Sequence, residues 1–76
     1  MPIVMRLGAL RVVIHPNDHL TAHVHVLEPG WVVVVNLIGP EIREVIGCNE
    51  REARQALRMI AERRDELMTY WRRFHG

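Results

Sequence analysis

Four of the chain's five histidines fall inside one short run, His15-Pro-Asn-Asp-His-Leu-Thr-Ala-His-Val-His25, which is too dense to read as scatter. Imidazole nitrogens are the commonest protein ligands for transition metals. His23 and His25 form a His-x-His pair, and on a strand that spacing sends both rings out of one face with their Cα atoms about 7 Å apart. His19 or Asp18 from the preceding loop, or His15 from across a hairpin, can supply a third ligand and leave one position open for water. A divalent transition metal such as zinc, held by His19, His23 and His25, is therefore one expectation.

The same residues also suit a metal-free chemistry. A side chain with an ordinary pKa of about 6.5 is a base in one protonation state and an acid in the other near neutrality. Two such rings flanking a phosphodiester could cleave RNA through its 2′-hydroxyl, with Arg11 on the same expected face steadying the charge at phosphorus. The catalytic candidates are His19, His23, His25, Asp18 and Arg11. A plainer role stays open beside both, because Asn17 and Asp18 are ordinary turn formers and exposed strand positions tolerate histidine.

The elements that would position these groups follow from period and punctuation. Leu10, Val12 and Ile14 alternate with Arg11, Val13 and His15, and Val24 and Val26 alternate with His23 and His25, as in two half-buried strands. An antiparallel hairpin closed by residues 16–22 can set Val13 opposite His25 and His15 opposite His23, placing three histidines on one face. Ile3 to Leu7 reads as a first strand turning at Gly8. Glu28-Pro29-Gly30 is a turn signal, and Trp31 to Ile38 is apolar on both faces, as an interior strand is. Glu41 to Ile46 is a fifth strand after Gly39-Pro40.

Asn49 followed by Glu52 has the form of a capping box, and no proline occurs beyond it. One helix over about 50–74 is expected, with a stripe of Ala53, Leu57, Ile60, Leu67, Trp71 and Phe74 that Arg64 interrupts. At 1.5 Å per residue it would span roughly 37 Å, so its last turns should overhang the domain or dock on a second copy. The fold class is α+β: a curled antiparallel sheet of four to five strands, over about 3–46, followed by one long C-terminal helix.

The 76 residues fit one domain, 1–76, and a chain this short buries only about 60% of its unfolded surface. Small domains commonly add disulfides, a metal or a partner subunit, and the lone Cys48 cannot bridge internally. A single thiol fits a reducing cytoplasm. Neither a secretory leader nor the roughly 18 unbroken apolar residues of a membrane span is seen. A formal charge of +1 is too small for wholesale attraction to nucleic acid, so any RNA contact must be local. All ten basic residues are arginine, a bias that a GC-rich genome alone produces. Arg51, Arg54 and Arg58 share a helix face, for which solvation and ion pairing are the default reading.

Met1-Pro2-Ile3-Val4 with Arg6, then Asn17-Asp18-His19, His23-Val24-His25-Val26, and a terminal helix with Glu66-Leu67 and Trp71 resemble the small bacterial family catalogued as domain of unknown function 4160. The similarity spans nearly the whole chain, and Asn-Asp-His followed by His-Val-His is its most specific part. The resemblance implies a short bacterial protein with no established activity, often encoded beside another small protein in an arrangement like a toxin-antitoxin pair. It marks Asn17, Asp18, His19, His23 and His25 without giving them roles. Family members commonly carry two prolines just before the His-x-His pair; Thr21 and Ala22 stand there in this chain, which leaves the loop less stiff.

These readings converge on a cytoplasmic component of a toxin-antitoxin-like module, with a histidine site for RNA phosphate chemistry or a divalent metal, and with a small cognate protein or a homodimer as partner. A second reading is a non-enzymatic interaction module whose sheet face and helix bind a cognate partner or second subunit. In that case the histidines are only polar strand positions.

Overall fold

The computed structural model describes residues 3–15 and 21–75. The expectations for Asn17, Asp18 and His19 lie outside the described residues. Five strands precede two helices: β1 (Ile3–Leu7), β2 (Leu10–Val13), β3 (His23–Glu28), β4 (Trp31–Asn36), β5 (Glu41–Ile46), α1 (Glu50–Glu62) and α2 (Arg64–His75). The strands form one open antiparallel sheet in the order β1-β2-β3-β4-β5, so each pairs with its neighbours in sequence. The α+β class is as expected.

Alternation decides which side each strand buries. Val24 and Val26 of β3 and Val33 and Val35 of β4 join Val12 and Ile14 in a core closed by Ala53, Ala56, Ile60, Leu67 and Trp71 of the helices. Burying each of the larger side chains stabilises the fold by about 1.5–3 kcal/mol. The opposite parity lies on the other face of the sheet, where Val13 and Val34 are also buried and where, at the start of β3, His23 meets Trp71 of α2. Val13 pairs with His25 and His25 with Val34, which gives a row of three across the middle of the sheet in the register expected from the sequence.

The β3–β4 turn uses Gly30 at φ 92, a conformation open chiefly to glycine. Gly47, at φ 86, closes against it: a Cβ there would collide with the Gly30 carbonyl oxygen and crowd Trp31.

Helix α1 starts on a full capping box. The Asn49 side chain accepts from the Glu52 amide at 2.8 Å, and the Asn49 amide donates to the Glu52 carboxylate at 3.0 Å. The single long helix expected from the sequence is replaced by two. At Arg63 the backbone leaves the helical region (φ −116, ψ 18). Its amide donates to Ile60 O at 3.0 Å, a tightened last turn, while its carbonyl accepts from Leu67 at 2.9 Å and opens α2. The next residue explains what holds the break: Arg64 Nε donates to the Leu37 carbonyl at 2.8 Å, tying the junction to the end of β4.

The molecule's longest extent is 34 Å, shorter than the roughly 37 Å of an unbroken helix. Turning at Arg63 brings the chain's end back onto the sheet. The expected overhang is thereby corrected: Trp71 is 9% exposed and part of the core, while Phe74, expected in the buried stripe, is exposed.

Candidate functional site: a chain of histidine and tryptophan rings

Residues of β3, of the segment following β2 and of the end of α2 meet in a continuous series of rings. His15 lies against His25 edge to face, with centroids 4.3 Å apart. His25 is 5.5 Å from His23, His23 is 5.3 Å from Trp71, and Trp71 stacks on His75 at 3.7 Å with an interplanar angle of 13°. Four of the five histidines thus form one cluster.

Each ring's place has a local cause. His23 and His25 share a face because they are two apart on a strand. His15 follows β2 on the strand adjoining His25, and its ring reaches back over that neighbour. His23, at the start of β3, is 4% exposed, beneath the last turns of α2. His75 stacks on Trp71 because residues four apart on a helix are adjacent.

The backbone fixes two of the ring tautomers. His23 Nδ1 lies 2.8 Å from the Thr21 carbonyl oxygen, and His75 Nδ1 lies 3.1 Å from that of Trp71. A carbonyl only accepts, so Nδ1–H donates in both, and in the neutral rings the lone pair sits on Nε2. His75 Nε2 and the Asn36 side-chain oxygen are buried with no hydrogen-bond partner among the described residues. Asn36 is the residue opposite His23 in the β3–β4 ladder. Each of the two atoms is a buried acceptor open to a water or a ligand group.

Arg11 pairs with Leu27 in the β2–β3 ladder. It is therefore on the face of Val13 and His25, diagonal to His25 and within reach of a long side chain. Of the candidates read from the sequence, Arg11, His23 and His25 are thus brought to one side of the sheet, and Asp18 and His19 fall outside the described residues. His75 and Asn36 were not among those candidates. The only signal for His75 is its four-residue spacing from Trp71.

Among the described residues, no group of three or more His, Cys, Asp or Glu side chains is arranged to hold a metal ion; the further ligand candidates His19 and Asp18 lie outside them. Burial and the neighbouring Glu52 carboxylate push the Cys48 thiol up from its ordinary value, which leaves it protonated and inert near neutrality. A cleft of about 230 Å³ between the β1–β2 turn, Trp31 and α1 carries Glu28 and Glu52 and none of the histidines. No helix among the described residues is long and apolar enough to cross a membrane.

No curated protein and no solved structure matches the chain. One family model does, that described as "Domain of unknown function (DUF4160)", over residues 10–72. The match takes in every strand but the first, the His-x-His pair, both helices up to Arg72, and residues 16–20, which lie outside the described residues. The chain is a member of the DUF4160 family.

Proposed function

We propose that this protein is the RNA-directed component of a toxin-antitoxin-like module and that the ring cluster carries phosphodiester chemistry. The observation that carries the chemical part is the edge-to-face contact of His15 and His25 at 4.3 Å, on the sheet face that Arg11 shares. The module part rests on the family resemblance.

In the proposed reaction one imidazole takes the proton of a ribose 2′-hydroxyl as that oxygen attacks phosphorus. The P–O5′ bond breaks, the second imidazole gives its proton to the departing 5′-oxygen, and a 2′,3′-cyclic phosphate is left. Arg11 lies beside the negative charge that develops on the phosphoryl oxygens. His25 and His15 are the reacting pair. His23, buried and held by the Thr21 carbonyl, positions His25 from behind. Asp18 and His19, of the Asn-Asp-His motif, are the further catalytic candidates.

A second reading, a divalent metal such as zinc held by His19, His23 and His25, is favoured by one observation. An Nδ1–H bond from His23 to a backbone carbonyl is the outer-sphere contact that metal-ligating histidines commonly make.

The test is incubation of untagged protein with end-labelled RNA, with and without chelator, beside induction of the gene in a bacterial host. Chelator-resistant cleavage to 2′,3′-cyclic ends, reduced about a hundredfold or more by His25→Ala and Arg11→Ala, together with growth arrest that depends on His25, is the expected result. Cleavage lost to chelator and regained with zinc would move the assignment to the metal. No cleavage, or arrest indifferent to His25→Ala, would sink both and favour the non-enzymatic interaction module, in which sheet face and helix bind a cognate partner.

A further inference from the structure

We propose that β5 is the seam of a two-fold symmetric homodimer, in which the Glu41–Ile46 segments of two copies pair antiparallel with Arg43 of each opposite Glu44 of the other.

The sheet is open and ends at β1 and β5, and an edge strand offers backbone donors and acceptors to a further strand. The two edges differ in what they show. Of β1, Val4, Met5 and Leu7 pack against the core. Five of the six residues of β5 are exposed. Three of the five large apolar side chains exposed among the described residues lie on it or in the turn before it: Ile38 at 55%, Val45 at 40% and Ile46 at 54%. Monomeric proteins guard such edges with charge, and β5 does carry Glu41, Arg43 and Glu44. None of the three has an ion-pair partner among the described residues.

The order of those charges selects a second copy as the occupant. In Glu-Ile-Arg-Glu-Val-Ile, full antiparallel overlap of two identical strands sets Arg43 against Glu44 twice, Ile42 against Val45 twice and Glu41 against Ile46 twice. Opposite charges face each other at the centre and apolar side chains flank them. A slip of one residue in either direction brings Arg43 against Arg43 or Glu44 against Glu44, and like charges directly opposite are destabilising. The strand is therefore complementary to itself in one register. No such pairing exists for β1, whose one charge, Arg6, would meet only apolar side chains.

The irregularity in the β4–β5 ladder makes that register geometrically consistent. Val35 pairs with Ile42 and Val34 with Glu44, which leaves Arg43 as an extra residue. Two strands related by an axis normal to their sheet keep their faces. In a regular strand the Arg43–Glu44 register would therefore set side chains of opposite faces against each other. The extra residue restores the match. Ile42 and Val45 both lie on the helix side, with Val35 and Val33, while Glu41, Glu44 and Ile46 lie on the other, with Asn36, Val34 and Val32. Pairing would then create one ten-stranded sheet with all four helices on one side. The two His25 positions would share the other side, five strand spacings apart, about 24 Å.

The experiment is mass measurement by light scattering and sedimentation over a dilution series, on the wild type, Arg43→Glu, Glu44→Arg and the double swap, with circular dichroism as the check on folding. The expected wild-type mass is twice the 8.9 kDa of one chain. Each single swap places like charges at the centre and should weaken dimerisation about tenfold or more, while the double swap should restore it. A monomeric wild type, a dimer indifferent to the single swaps, or a folded double swap that stays monomeric would each overturn the proposal.

Discussion

The indole of Trp71 lies 5.3 Å from the imidazole of His23, joining the last helix to the strand that carries the His-x-His pair. The contact exists because the helical region breaks at Arg63, so that α2 returns to the end of the sheet where β3 begins. Site and fold share this junction, since the ring that covers His23 is also a core residue.

Replacing Trp71 with alanine should therefore cost about 3–5 kcal/mol, a large share of what a domain this small can hold. Urea unfolding of Trp71→Ala beside Trp71→Phe measures it, with the phenylalanine variant losing less than half as much.

Arg64 donates to the Leu37 carbonyl from the α1–α2 junction. Arg64→Ala should leave that carbonyl unpaired and lower stability by about 1–2 kcal/mol. Hydrogen exchange should quicken in α2 more than in α1, and equal quickening in the two helices would count against a local anchoring role.

Asn49→Ala removes one half of the capping box and exposes the other. A loss of about 1 kcal/mol is expected, seen as a fall in Tm of about 4–8 °C.

Gly47→Ala has two faults to absorb, a left-handed backbone and a Cβ directed at the Gly30 carbonyl oxygen. It should destabilise by about 2 kcal/mol or more. Gly8→Ala, where a Cβ meets open space, should cost less, so the difference between the two midpoints isolates the steric part.

Cys48 titrates above the ordinary thiol range because burial and the Glu52 carboxylate both disfavour the thiolate. Alkylation of the folded protein should therefore rise with pH later than that of a free cysteine peptide, and Glu52→Gln should move the curve back toward lower pH. A folded-state curve coinciding with that of the peptide would contradict this placement.

Much of the sheet was legible because its residues obey a period of two and its turns carry glycine at the right places. The pairing of Val13 with His25 follows from two alternating runs and a hairpin between them. The capping box was equally local, needing only Asn49 and Glu52. The helix break was not legible in the same way. Leu67 and Trp71 continue the apolar phase of Ala53 and Ile60 across the junction, so periodicity runs straight through it and only the charge at Arg64 marks the place. Its hydrogen-bond partner is a carbonyl 27 residues earlier, a tertiary fact that no window of sequence contains. His75 and Asn36 stayed hidden for the same reason: one gains meaning from its stacking on Trp71 and the other from its pairing with His23.

Because every strand of the meander pairs with the one made just before it, no long loop has to close before stabilising contacts form, a topology that favours rapid folding. During synthesis the strands can assemble in the order they emerge, while Trp71 follows the whole sheet and α1 in the chain. The site's inner wall is thus completed only after every strand has been made.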